Sequence, residues 1–387
     1  MSETDVTQDH EHHHPHDHEH EHGGSDGSVD VLNTPRLLEE HGDLPVILRD
    51  PILNQDQFEA FGCDVRAASP ATPDRVEPDV AFTLGVHSGA RVTMPDGKRV
   101  DFMSFHHYVG DDEDDDDTKI FPGPLLRVRE GQVVHTTLIP SRSTHTVHHH
   151  GIEPTPHNDG VGHASFEVSN IYTYQWRASS AGSYFYHCHK NTVLHFEMGM
   201  YGPLIVDPPD GPGYVRRGRD VVPYDQEVEW ITDEVDPAWH ALDHQAGLRC
   251  PWDTNQDLLY FDPKYWLLTG VPHPRTRTDR RVAVHCQRGE RVLLRLLNAA
   301  YGPTVMTLPF DAEVINVDGN ALGGPKDHRY SRPYTVSAGQ PLELSTAQRY
   351  DVLMEPDREG VFTVPMDFRH WIRGEVYGHL ETTITVT

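Results

Sequence analysis

Short strand-like runs, rather than long helix-period stretches, make up the patterned part of this chain. The first lies at Val80–Val86 and the next at Arg91–Met94, with Asp96-Gly97 following as a turn. Strands resume at Leu125–Arg129 and Gln132–Ile139. A Pro/Gly cluster from Pro208 to Gly213 closes a first domain spanning residues 80–208. A linker over 209–227 leads to a second domain over 228–387.

The second domain repeats the plan of the first. Gly131 to Pro140 matches Gly289 to Asn298 in pattern without gaps. Gly182-Ser-Tyr-Phe-Tyr and Gly360-Val-Phe-Thr-Val open matching final segments, which pass Tyr201-Gly202 and Tyr377-Gly378. The duplication predicts an all-β chain of two Greek-key β-sandwiches of one type.

Composition adds limits. The 31 Gly and 30 Pro fit an all-β chain. With 32 basic and 60 acidic residues the formal charge is −28, which repels nucleic acid and anionic membrane and favours cationic reductants or substrates. No apolar run approaches membrane-spanning length, and Met1 to His22 has neither a signal-peptide core nor a twin arginine, so the expectation is cytoplasmic. Residues 1–30 are expected to be a disordered arm, with eight histidines among acids between His10 and His22. It is either a solvated tail or a weak metal-gathering arm. A Pro-rich lead-in covers 31–79, and the acidic run Asp111–Asp117 reads as a solvated loop. Of Cys63, Cys188, Cys250 and Cys286, only Cys188 sits among other metal-ligand types, and nothing supports pairing Cys250 with Cys286.

Those ligand types lie in two segments. One holds His145, His148, His149 and His150; the other is His187-Cys188-His189, followed by His195 and Met200. Successive side chains on a strand point to opposite faces. In extended segments His148, His150, His187 and His189 share one face, while His145 and Cys188 can meet on the other. His195 and Met200 can close over that second set. Two imidazoles, a thiolate and a thioether are the ligands of a blue-copper electron-transfer site, and an all-imidazole cluster suits copper that meets a small oxidant. An electron arriving at Cys188 can pass through the backbone to His187 or His189. His149 has the wrong parity and reads as structural, and Met198 as a core residue. His157 and His163 lie in a following loop and are second to these ligands at best.

These segments resemble the multicopper oxidases, the family of laccases and their two-domain relatives. The resemblance rests on Phe121-Pro-Gly-Pro-Leu-Leu-Arg-Val-Arg-Glu-Gly131, on His145-x-x-His148-x-His150-Gly151, and on Tyr186-His-Cys-His189 with His195-x-x-x-Gly199-Met200. Gln348-Arg-Tyr-Asp-Val-Leu353 likens the second domain to the family's copper-free cupredoxin domains. The resemblance implies cupredoxin-like sandwiches, with His145, Cys188, His195 and Met200 as type 1 copper ligands. It implies His148 for a type 2 copper, and His150, His187 and His189 for a type 3 pair. It further implies a laccase-like oxidase passing electrons from a phenol, aromatic amine or metal ion to dioxygen, with water as product. The rivals are a nitrite-reductase-like copper enzyme and a non-enzymatic copper-binding or electron-carrier protein.

The chain departs from the family in its second domain. Alignment on the paired glycines sets Pro303, Met306 and Leu308 opposite His145, His148 and His150, and Pro365, Met366 and Asp367 opposite His187, Cys188 and His189. The cluster is therefore expected to be smaller or to be completed from outside. A homo-oligomer could supply a neighbour's first domain, or His370 or His379 of a neighbour's second domain; a separate protein is the other source.

Overall fold

Strand pairing accounts for almost all regular structure in the computed structural model. It describes residues 77–108, 120–141, 144–154, 156–161, 167–168, 171–244, 246, 258, 260–324 and 332–387. The His-rich arm, most of the lead-in, the acidic run 111–117, His163, Cys63 and Cys250 lie outside these residues, as does the side chain of His157. Cys286 is a free buried thiol. No described helix is long and apolar enough to cross a membrane.

Val80–Val86 and Arg91–Met94 belong to one strand, β1 (Val80–Thr93), rather than two. It pairs antiparallel with β2 (Arg99–His107), Ser88 opposite Met103 and Ala90 opposite Phe102, so Gly89 is the extra residue of a bulge. A bulge glycine inside one strand reads in sequence like a gap between two. The remaining strands of the first domain are β3 (Leu126–Arg129), β4 (Val133–Ile139), β5 (His148–His150), β6 (Tyr172–Arg177), β7 (Gly182–His187) and β8 (Tyr201–Asp207). They form two sheets, β2-β1-β4-β6 and β3-β8-β7-β5. Leu84, Phe105, Leu126, Val134, Leu138, Trp176 and Tyr186 fill the space between them, with Cys188 and Met200 at one end of the same cluster.

The second half repeats this wiring. Val292–Asn298 runs parallel to Gln226–Val235 and antiparallel to Arg349–Met354, as β4 does to β1 and β6. Gly360–Arg369 lies between Val376–Val386 and Thr304–Thr307, as β7 lies between β8 and β5. The segment read as a linker contains a hairpin, Tyr214–Arg217 with Asp220–Pro223.

The two halves are locked together. Phe102, Phe121, Phe185 and Tyr201 of the first pack with Ile231, Leu267, Leu297 and Ala299 of the second. Beside this apolar seam, buried Arg295 reaches Asp351 at 3.2 Å, Ser183 at 3.3 Å and Glu227, while Arg127 grips Asp207 and Glu227 at 2.7 Å each. Such forked guanidinium contacts fix the relative placement of the partners. The outward face of β7 is thereby presented to the second domain.

Candidate metal centre

Pairing of β5 with β7 sets His148 opposite His187, His149 opposite Tyr186 and His150 opposite Phe185. Tyr184, Tyr186 and Cys188 point into the core of the first domain, and Phe185 points out into the seam. The alternation read from sequence is therefore realised, and it sorts the candidate residues into two groups.

The inward group is His145, Cys188 and His195, whose ligand atoms lie within 4.8 Å of one another. Cys188 Sγ is 3.9 Å from His145 Nδ1 and 3.4 Å from His195 Nδ1. His145 is held by a backbone bridge to Val168, and His195 sits on the helix Thr192–Glu197. His195 Nε2 donates to the His244 carbonyl at 2.7 Å, which leaves Nδ1 with its lone pair toward the sulfur. Met200 is fully buried in the cluster that contains Cys188, and its carbonyl accepts the Cys188 N–H at 3.0 Å. Met198 packs elsewhere, with Leu194, Trp239 and Ala246.

Burial pushes the Cys188 thiol up to about 11 and His195 down to about 4, and holds His145 well below its ordinary value. The neutral imidazoles are ready to ligate, while the thiol needs a cation's field to ionise. Metal bonds of about 2.0 Å to nitrogen and about 2.3 Å to sulfur at a trigonal angle place N and S about 3.7 Å apart. The 3.4 and 3.9 Å separations bracket that value, so the residues fit copper.

The outward group is His148, His150 and His187, also within 4.8 Å. His150 Nδ1 and His187 Nε2 are 3.2 Å apart. His148 Nδ1 donates to the Asp159 carbonyl at 2.7 Å and His187 Nδ1 to the Cys188 carbonyl at 3.0 Å, which leaves each Nε2 as the nitrogen with the lone pair. Burial, with Arg349 nearby, takes His150 down to about 3. The His189 ring adjoins those of His148 and His187 at 5.4 and 5.6 Å, yet its ligand atoms fall outside the three-residue group. Its backbone N–H donates to Thr146 Oγ1 at 2.7 Å. His149 lies on the inward face, against Trp176 and hydrogen-bonded to Thr136 Oγ1 at 3.0 Å.

The sequence reading missed Thr146, Asp159, Asn191, His244 and Arg349. Thr146 and Asp159 stand in or near the His-rich segments and had a positional signal. Asn191 lies between His189 and His195 and had one as well; His244 and Arg349 come from distant chain and had none.

The second domain requires a correction. Met306 and Leu308, set opposite His148 and His150 by sequence, are core residues. Met306 pairs with Met366, the inward match of His149 and Tyr186. The outward pair beside it is Val305 with Asp367, so the glycine anchor at Gly289 puts Met306 and Leu308 on the wrong face. A slip of one residue exchanges faces, and glycine anchors do not fix a slip inside the strand. Asp367 binds His379 Nδ1 at 2.8 Å on the exposed surface, and His370 Nδ1 accepts the Ile372 N–H at 3.1 Å. Neither histidine joins a metal-ligand group among the described residues.

A thiolate set and an imidazole cluster at the edge of paired cupredoxin-like sandwiches define a copper protein. Residues 118–211 match the family model described as multicopper oxidase. The matched stretch holds both ligand-bearing segments of the first domain. Among curated proteins the chain is 26% identical to the copper resistance protein A of Pseudomonas syringae pv. tomato over 288 residues, covering 65% of this chain and 44% of that protein. It thus spans less than half the length of that relative. Among solved structures, the blue copper oxidase from Nitrosomonas europaea superposes with TM-score 0.59 at 20% identity, covering 79% of this chain and 86% of that one. A copper nitrite reductase from the same organism gives 0.52 at 20%, covering 80% and 93%. At these identities the two structures speak for the fold alone.

Proposed function

We propose that this chain is a copper-dependent, laccase-like oxidoreductase. Single electrons from a reducing substrate arrive at the His145, Cys188, His195 and Met200 set and leave through His187 or His189 toward dioxygen at the imidazole cluster, giving water. The observation that carries the reading is continuity: Cys188 belongs to one group, and its sequence neighbours His187 and His189 belong to or adjoin the other. The His187 Nδ1 bond to the Cys188 carbonyl adds a second link. Copper held there supplies one-electron chemistry at a tuned potential. The protein's own part is to exclude water from the sulfur, to fix each imidazole tautomer through carbonyl acceptors, and to hold both groups on one rigid strand pair.

Phenols, aromatic amines or a metal ion such as Cu(I) are the donors in this reading, and the charge of −28 favours cationic ones. The cluster holds half of a full imidazole set, and Val305 and Asp367 offer no histidine at the matching place. We therefore place its completion between copies of the chain, from a neighbouring first domain or from a neighbour's His370 or His379. That arrangement couples copper loading to oligomerisation by mass action. The same missing histidines favour the second reading, a nitrite-reductase-like enzyme.

The deciding experiment is a copper count per chain with optical and paramagnetic spectra, oxygen uptake and oligomer mass. The oxidase reading expects a blue protein that consumes oxygen with a suitable donor and loses its colour in Cys188→Ser. Nitrite turnover without oxygen uptake selects the second reading, and blue colour with neither selects an electron carrier. A fully active monomer with its complete copper complement defeats the shared cluster.

A further inference from the structure

We propose that Asn191 is a positioning residue that seals the Cys188 centre from direct contact with reducing substrates, so that electrons reach it only through the hydrogen bond between His195 and the His244 carbonyl. The inference rests on the function proposed above. No member of the centre reaches the surface: Cys188, His195 and Met200 are 0% exposed and His145 is 2%. The outward nitrogen of His195 is taken by the His244 carbonyl at 2.7 Å. The His244 ring lies 6.3 Å from the His195 ring, and its side chain is 30% exposed, so His244 joins the buried ligand to solvent.

Asn191 holds this arrangement from both ends. Its Nδ2 donates to the carbonyls of His244 at 3.3 Å and Ala246 at 2.6 Å. Its own carbonyl accepts the backbone N–H groups of Leu194 at 3.0 Å and His195 at 2.9 Å. The backbone there has φ 45 and ψ 49, in the left-handed region that asparagine tolerates better than most residues. One residue thus ties the helix that carries the ligand to the carbonyl that fixes the ligand's tautomer.

The step it governs is electron transfer alone. One electron leaves the donor at the His244 surface and is received at the centre; no bond to the protein forms or breaks, and an oxidised phenol releases its proton to solvent. Donors are then chosen by driving force and approach to His244, not by fit against a copper ligand.

Two variants test the seal. Asn191→Asp keeps the shape and loses the amide donor; Asn191→Gly keeps the left-handed backbone and loses the side chain. In the full metal-free chain, labelling of His195 by diethyl pyrocarbonate, read by peptide mass spectrometry, should rise about tenfold in both, the worth of the lost hydrogen bonds. His149, in the core, is the internal control and should stay unlabelled. In the copper-loaded protein the blue colour should persist. The bleaching rate with a phenol, relative to hexaammineruthenium(II), should rise by a similar factor. Unchanged labelling with an unchanged donor ratio in folded variants overturns the proposal. A wild type that binds copper without turning blue sinks the oxidase reading instead, and the labelling then still decides whether Asn191 seals the site.

Discussion

The outward faces of two corresponding sheets share one scaffold and carry opposite chemistry. In the first domain His148 faces His187 across β5 and β7, with Tyr201 beyond His187 on β8. On the corresponding outward face the second domain sets Val305 against Asp367, with His379 beyond. The inward pairs differ as well. His149 opposite Tyr186 is a polar core position whose Nε2 bonds Thr136, whereas Met306 opposite Met366 is wholly apolar. Backbone pairing thus provides positions, and a few side chains decide whether they bind metal. The second domain has spent its inward face on packing and left its outward face an exposed acid–imidazole pair.

The strongest way to break this comparison is to remove a ligand from one face and its counterpart from the other. His187→Ala should lower oxygen uptake at least about a hundredfold while the blue colour remains, because the inward group is untouched. His148→Ala should do the same. Asp367→Ala should leave colour and thermal unfolding unchanged. A loss of oxygen uptake in Asp367→Ala comparable to that in His187→Ala would end the contrast and place Asp367 and His379 in a neighbouring copy's cluster.

Where the two regions meet, pH separates them. Glu227 is buried, but Arg295 and Arg127 outweigh that burial and hold its carboxyl below the usual range. Asp233 accepts the Tyr201 hydroxyl at 2.7 Å, and burial pushes it up to about 7. A raised folded value means that the folded chain holds the proton more tightly. Stability from Asp233 is then full below about pH 4 and lost as pH rises through about 7, by up to about 4 kcal/mol. Glu227 acts in the opposite sense, its contribution lost as pH falls. Calorimetry of the metal-free protein should show the Tm of wild type falling relative to that of Asp233→Asn between about pH 5 and about pH 7, the buried histidines being common to both. A profile identical in wild type and variant would remove Asp233 from the account.

The face assignment itself can be tested by stability. Met366 is fully buried, so Met366→His places an imidazole without a partner in the core and should cost about 3 kcal/mol. Val305→His, on the outward face beside Asp367 and still 7% exposed, should cost less, about 1.5 kcal/mol. Denaturant midpoints measure both. Equal losses would mean that the one-residue correction of the sequence alignment is wrong.

What the sequence disclosed follows from what is local. Parity along two strands needs no knowledge of the rest of the chain, so the sorting of His145 and Cys188 from His148, His150, His187 and His189 was available from the motifs alone. The duplication at Gly131 and Gly289 gave the wiring, because equal spacing reflects equal strands. Register inside the second domain was not available: no chemically distinctive residue marks Met306 or Met366, and a slip of one leaves the apolar count almost unchanged. The bulge at Gly89 concealed a continuous strand for a similar reason. His244 and Arg349 meet the site through tertiary contacts, and nothing local announces them; Asn191 stands inside the second ligand segment, but its amide's contacts with His244 and Ala246 are tertiary.

The smallest expected effect distinguishes the two methionines beside His195. Met200 lies in the cluster with Cys188, while Met198 packs with Leu194 and Trp239 on the other side of the helix end. Both are buried, at 0% and 5% exposure, so neither is set apart by burial alone. A thioether near copper is a weak, long ligand that favours the oxidised ion slightly. Met200→Leu should therefore raise the reduction potential and leave the protein blue. Leucine nearly matches methionine in volume, so stability should change by less than about 1.5 kcal/mol in either variant. Met198→Leu should leave the potential where it was. A redox titration that follows the blue band reads both. If the potential moves with Met198 and not with Met200, the axial role passes to Met198, and the packing that groups Met200 with Cys188 is structural only.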